Sequence, residues 1–284
     1  MNVCPECLPC LGRNAVDVAK RSTSDPVLQK TILSEAFRVL ADDDYRMPPP
    51  CTARKILDIA LKHTGRADIY AEEKRRSNRL AEQVAAELAG LPGYADDFAA
   101  RLRLAAAGNL LDFGIFGDLD IPQAMKTVKT VFAKPFPAEA AARLRRKMDS
   151  ARRIFYLLDN CGEAVFDRVF MEPYRDRITL GVRGRPAFND VTAEDLADCG
   201  LAGWKYLANG PAGIPGTVRS KCSDEFRREL EGADLIIAKG QGNFETMEGT
   251  DLPAAFLFLA KCPVVVRLIG AEMNSIQVRL CNLD

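Results

Sequence analysis

The sequence predicts an α/β protein in which an all-helical N-terminal domain precedes a three-layer α/β/α domain built on a parallel sheet. Three observations predict it. From about residue 14 to residue 150 apolar residues recur with the helical period. From Arg152 onward, short β-rich runs alternate with helical stretches. Those runs are apolar on both faces, as strands covered by helices on each side require. The helical domain is assigned to residues 1–118 and a Rossmann-like α/β domain to residues 119–284.

The helical half carries ordinary start and stop signals. Asp25 can cap a helix with Pro26 in its first turn, and Leu28, Ile32, Phe37 and Leu40 fall near one face. Pro48, Pro49 and Pro50 form a break, after which Thr52 caps Ala53 to Leu61. A long helix runs from about Ile69 to Leu88 and stops at Gly90, and another runs from Asp96 to Ala107 before Gly108. The last begins at Pro137 and reaches about Ser150. In the second half the expected strands are Ile154 to Leu158, Ile178 to Val182, Leu235 to Ala238 and Val264 to Leu268.

Composition narrows the function. The 284 residues are 48% hydrophobic, and 39 basic residues balance 39 acidic ones without forming blocks, so no broad field attracts nucleic acid or an anionic membrane. The N-terminus lacks a basic region followed by an apolar core, and no long apolar run occurs, which predicts a cytoplasmic protein. Nine cysteines are spread through a chain too large to need staples, so reduced thiols are expected. The single histidine, His63, reads as a helix-end side chain, and polyhistidine zinc sites and serine triads are hard to assemble without more. Carboxylates, amides, lysine or thiols must carry the chemistry.

Ligands of such sheets bind beyond the carboxyl ends of the strands, and three of those ends are unusual. The first strand ends in Asp159, Asn160, Cys161, Gly162 and Glu163, offering a carboxylate and an amide together at a helix start. Oxygen donors of this kind suit hard divalent cations. The second leads through Arg183–Pro186 to Asn189 and Asp190, which can complete the metal site. Thr192 and Asp195 follow as a capping pair. The third ends in Lys239, Gly240, Gln241, Gly242, Asn243, Phe244 and Glu245, where glycines free backbone N–H groups for an anion and Lys239 adds a charge for phosphate. Each segment alone is more often a turn; their joint placement at strand ends is the signal.

These motifs resemble the damage-control phosphatases, also known as acidic-residue methyltransferase-like proteins. The resemblance rests on DNxGE at Asp159–Glu163, PxxND at Pro186–Asp190 and KGxGNFE at Lys239–Glu245. The helical half adds AAAGN at Ala105–Asn109 followed by Asp112, and a CxxCxxR at Cys7, Cys10 and Arg13, as in the prokaryotic CxxC branch. It covers nearly the whole chain in family order. It implies a divalent ion (Mn, Mg, Co or Ni) at Asp159, Asn160 and Asp190, and removal of phosphate from small, damaged or surplus phosphometabolites such as sugar phosphates or phosphopantetheine-like compounds. Cys161 and Gln241 depart from residues frequent elsewhere in the family.

On this reading Asp159, Asn160, Asp190 and Lys239 are the catalytic set. Asn109, Lys239, Gly240, Gly242, Asn243, Glu163 and Glu245 bind phosphate or substrate, Glu163 and Glu245 alternatively orienting ligands or moving protons. The attacking group is either water at the metal or Asp159 itself. Cys7 and Cys10, beside Cys4, are candidates for a second metal or redox site, although a structural zinc site wants a fourth ligand and the nearest further thiol in sequence is Cys51. Trp204, Tyr206 and Asn209, in the stretch Ala202 to Thr217, are candidates for a pocket wall, with a core role expected for Trp204. Among rivals, a methyltransferase wants a glycine-rich first turn where only Gly162 stands, a haloacid-dehalogenase-type site wants Asp-x-Asp, and GxxxxGK[ST] is absent. A non-catalytic metabolite-binding or cysteine-based sensing protein is the alternative from another class. Substrate identity and oligomeric state are not legible.

Overall fold

The computed structural model describes residues 1–89, 91–95, 97–108 and 121–283. Helix α1 (Leu8–Ser22) follows a 3-10 turn, and α2 (Pro26–Ala41) starts as expected, with Val27 N donating to Asp25 Oδ1 at 2.9 Å. The buried row of α2 is Ile32, Ala36 and Leu40. Phe37, placed on that face by spacing, is 51% exposed, being rotated about 100° from Ala36. Helix α3 (Pro49–Thr64) begins inside the proline run, because a first turn has no use for the missing N–H. Thr52 therefore lies within the helix and donates to Asp43 Oδ2 at 2.6 Å rather than capping. His63, near its end, meets Glu35 at 2.8 Å.

Helices α4 (Ala71–Ala89), α5 (Phe98–Gly108) and α7 (Ala138–Ser150) fall where the periodicity puts them, and α6 (Ile121–Phe132) is additional. The expected signals Gly90 and Asp96, the AAAGN residue Asn109 with Asp112, and the boundary at 118/119 lie outside the described residues.

The second half contains β1 (Ile154–Leu157), α8 (Glu163–Met171), β2 (Ile178–Val182), β3 (Tyr206–Ala208), α9 (Asp224–Gly232), β4 (Leu235–Lys239), α10 (Gly240–Met247), β5 (Ala254–Leu259), α11 (Pro263–Ile269) and β6 (Ile276–Cys281). The strand order is β3-β2-β1-β4-β5-β6, parallel except for β6, which runs antiparallel to β5. Ile154 pairs in register with Ile178 on one side and Leu235 on the other, so the order of the chain reverses between β1 and β4. That is the topological switch point at which such sheets bind ligands.

The expected strand Val264 to Leu268 is helix α11. Pro263 at its first position and Gly270 at its C-cap, with φ 64°, override the β preference of three successive valines. The apolar run of β5, buried along its whole length, occupies the sheet instead.

Alternation along β1 builds both layers. Tyr156 packs with Leu102 of α5, Leu144 of α7 and Phe170 of α8, whereas Phe155 and Leu157 pack on the other face with Phe226 of α9 and Phe244 of α10. Helices α4, α5 and α6 share a further core with Phe166 of α8. Helices α1–α3 form their own core around Val18, Ile32 and Ile56. They are tied to the sheet by Arg54 of α3, which donates to Pro186 O at 2.6 Å and Gly213 O at 3.0 Å. Among the described residues no helix is long and apolar enough to cross a membrane.

Candidate active site

The carboxyl ends of β1, β2 and β4 converge under α1 and α3, enclosing a cleft of about 590 Å³ lined by Asp159, Asp190, Gly242 and Glu245 from the sheet side and Cys7, Cys10, Arg13 and Pro49 from the helical side. A shallower hollow of about 880 Å³ is lined, among the described residues, by Glu87, Lys126, Lys129 and Thr130, with no pair of carboxylates.

Asp159 follows β1 and its backbone carbonyl accepts from Val191 N at 2.8 Å, while Asn160 and Asp190 form an isolated antiparallel bridge. These main-chain bonds bring together the three residues assigned to the metal. Asn160 Nδ2 donates to Asp159 Oδ2 at 3.2 Å, and both aspartates are buried. Burial, then the charges of Asp190 and Glu163, push the Asp159 carboxyl well above its usual value against the pull of Arg183 and Lys239.

Arg183, one residue past β2 and unassigned by sequence reasoning, is the organising cation. Its Nε donates to Asp190 Oδ2 at 2.5 Å and its Nη2 lies 3.8 Å from Asp159 Oδ1. The same guanidinium donates to Gly216 O at 3.0 Å and to Asn243 Oδ1 at 3.4 Å. Asn243, buried beneath the cleft, donates in turn to Lys239 O at 2.7 Å and Leu158 O at 3.3 Å, so it braces the site rather than facing substrate. The signal for Arg183 was its position at a strand end.

Lys239 departs from its assigned role. Its amino group is wholly buried and donates to Ala105 O at 3.0 Å, to Glu163 Oε1 at 2.6 Å and to Asp167 Oδ1. Those three bonds use every N–H of an ammonium, leaving none for phosphate. Burial opposes the lysine's charge, but Asp167 and Glu163 outweigh it and hold its pKa above the usual value. Asp167, one turn past Glu163, is pushed up to about 7 by burial despite Lys239. Glu163 is thus one of the two carboxylates that hold Lys239.

The glycines serve close approach. A β-carbon on Gly240, whose φ is 76°, would sit 1.8 Å from Asp159 Oδ2, and one on Gly242 would sit 2.5 Å from Pro215 O. Glu245 lines the cleft and accepts from Gln241 Nε2 at 2.7 Å, and burial raises its pKa to about 7. Trp204 is a core residue under Arg175, Asn209 is buried and accepts from Gly184 N at 2.9 Å, and Tyr206 is exposed; Pro215 is the part of that stretch reaching the cleft.

Cys4 and Cys7 lie with their sulfurs 3.5 Å apart, and Cys7, Cys10 and Cys262 line one side of the cleft, so the nearest added thiol in space comes from the C-terminal half rather than Cys51. Burial pushes the Cys7 thiol up to about 12, which keeps it protonated and a poor nucleophile. Among the described residues no three His, Cys, Asp or Glu side chains converge as metal ligands. Asp159, Asn160 and Asp190 bring two carboxylates and an amide to one place, a donor set of the kind that hard divalent cations take.

A family model described as the damage-control phosphatase ARMT1-like domain matches residues 3–276. A protein of Archaeoglobus fulgidus named as a damage-control phosphatase is 32% identical to this chain, with 99% of each covered. A second relative so named, from Pyrococcus horikoshii, is 30% identical with 94% of each covered. The crystal structure of a DUF89 family protein from Pyrococcus horikoshii superposes with a TM-score of 0.89, at 28% identity over 99% of both chains.

Proposed function

The chain belongs to the damage-control phosphatase ARMT1-like family, and from that premise we propose that it is a divalent-metal-dependent phosphatase acting on phosphate monoesters of small metabolites. The observation that carries the reading is the pair of buried carboxylates at the switch point, Asp159 and Asp190, held at the floor of a cleft by one arginine. Asp159, Asn160 and Asp190 would hold the cation, which when bound neutralises phosphate charge and lowers the cost of attack on phosphorus.

The chain's own residues do the rest. Arg183 fixes the spacing of the two carboxylates and holds Asp190 at the cleft through a charge-assisted hydrogen bond. Gly240 lets the Asp159 carboxylate lie against the backbone at the end of β4. Glu245, protonated below about pH 7, stands in the cleft wall with a proton to give to a departing alkoxide. Helices α1 and α3 cover the site and limit the water that reaches it.

Chelator-stripped protein should release no phosphate from a panel of sugar phosphates, phosphopantetheine and phenyl phosphate, and Mn²⁺, Mg²⁺, Co²⁺ or Ni²⁺ should restore release. Asp159→Ala should stay silent with every metal while remaining folded. Turnover by stripped protein, or by the variant, would overturn the reading.

A further inference from the structure

Phe188 occupies a conformation that its side chain disfavours. It is the first central residue of the turn Ala187–Asp190, closed by Asp190 N donating to Ala187 O at 3.1 Å, and its φ is 53°. A positive φ at that position is natural to glycine and strained for a bulky residue. Strain of this kind persists where the side chain is put to use.

The ring is placed for use. It lines the cleft two residues before Asp190 and meets the ring of Tyr70 edge to face at 5.6 Å. Tyr70 is itself fixed, buried, with the Arg21 guanidinium 5.2 Å from its ring centroid. Pro49, Ala53 and Pro215 continue the same apolar surface of the cleft. A flat ring placed against these faces would be matched by them, while Asn14, Asp17, Arg21 and Glu73 line the same cleft and leave room for polar substituents on its edge.

We propose that Tyr70 and Phe188 form a ring-binding subsite beside the Asp159–Asp190 floor, which selects phosphate monoesters whose alcohol portion carries a flat apolar or aromatic ring. The inference rests on the phosphatase reading for its substrate class, and the subsite can be tested apart from turnover. Part of Phe188 also packs against the core of α1–α3, so a purely anchoring role must be separated from selection.

Phe188→Asn does so, because asparagine tolerates the left-handed conformation and keeps the turn that presents Asp190. Phenyl phosphate and a hexose phosphate are compared as substrates, and phenylphosphonate and methylphosphonate as ligands by calorimetry, in wild type and variant. Wild type should favour the phenyl compounds in both assays. The variant should lose about tenfold of that preference, through KM and ligand affinity rather than kcat. Equal preference in wild type, or a proportional loss for both compounds in the variant, overturns the subsite. If no ester is hydrolysed with any metal yet phenylphosphonate binding depends on Phe188, the phosphatase reading fails and the subsite stands.

Discussion

Arg183 and Lys239 are both buried cations at strand ends, and the two side chains do opposite things. Arg183 faces the cleft carboxylates; Lys239 faces away, into Glu163 and Asp167. Removing a partner from such a buried set leaves uncompensated charge, at a cost of roughly 3–5 kcal/mol. Lys239→Met should therefore lower the urea midpoint strongly, and a variant that stayed stable but lost only substrate affinity would return Lys239 to phosphate binding. Glu245 gives the pH prediction. Its folded-state pKa, about 7, lies above the usual 4.5, so the native state holds a proton that the unfolded chain releases. Its contribution to stability is then complete below about pH 4.5 and lost as pH rises toward about 7. Glu245→Gln should flatten the stability profile in that window and remove the matching alkaline fall in activity; an unchanged profile would assign the titration elsewhere.

The elements that position the site depend on local backbone rules as well as packing. Gly240 opens α10 against Asp159, and Gly240→Ala should displace the carboxylate and abolish metal-restored turnover. Gly270, at the end of α11, has open space around its missing β-carbon, so Gly270→Ala should cost only about 1 kcal/mol, from its positive φ, and leave activity intact. A similar loss of activity in both would mean that Gly240 acts through helix strain rather than contact. Strand ends were legible where an apolar run stopped at a carboxylate, as at Leu158-Asp159. Helix α11 was misread because valine content outweighed Pro263 and Gly270, and β5 was missed because a wholly buried run has no periodicity to mark it.

At the scale of the molecule, two cores meet over one cleft. Among the described residues, the polar ties that join the α1–α3 core to the sheet domain include the Arg54 bonds to Pro186 O and Gly213 O and the Arg185 bond to Asp58. Arg54→Ala should leave those two carbonyls without their donor, while Asp58 keeps Arg185, and cost roughly 1–3 kcal/mol. Hydrogen exchange should rise in α1–α3 before it rises in β1 and β4, and uniform exchange would show that the cores open together. The sequence by itself determined the α/β class, the order of the motifs and which acidic and amide residues stand at the strand ends, because strand period, glycine placement and residue chemistry are local properties. Only the tertiary structure decided that Lys239 is spent on Glu163 and Asp167, that Arg183 joins Asp159 to Asp190, and that Cys7, Cys10 and Cys262 line the same cleft as Phe188. Which partner a charge meets depends on how helices far apart in the chain pack across the sheet, and nothing in the local pattern records it.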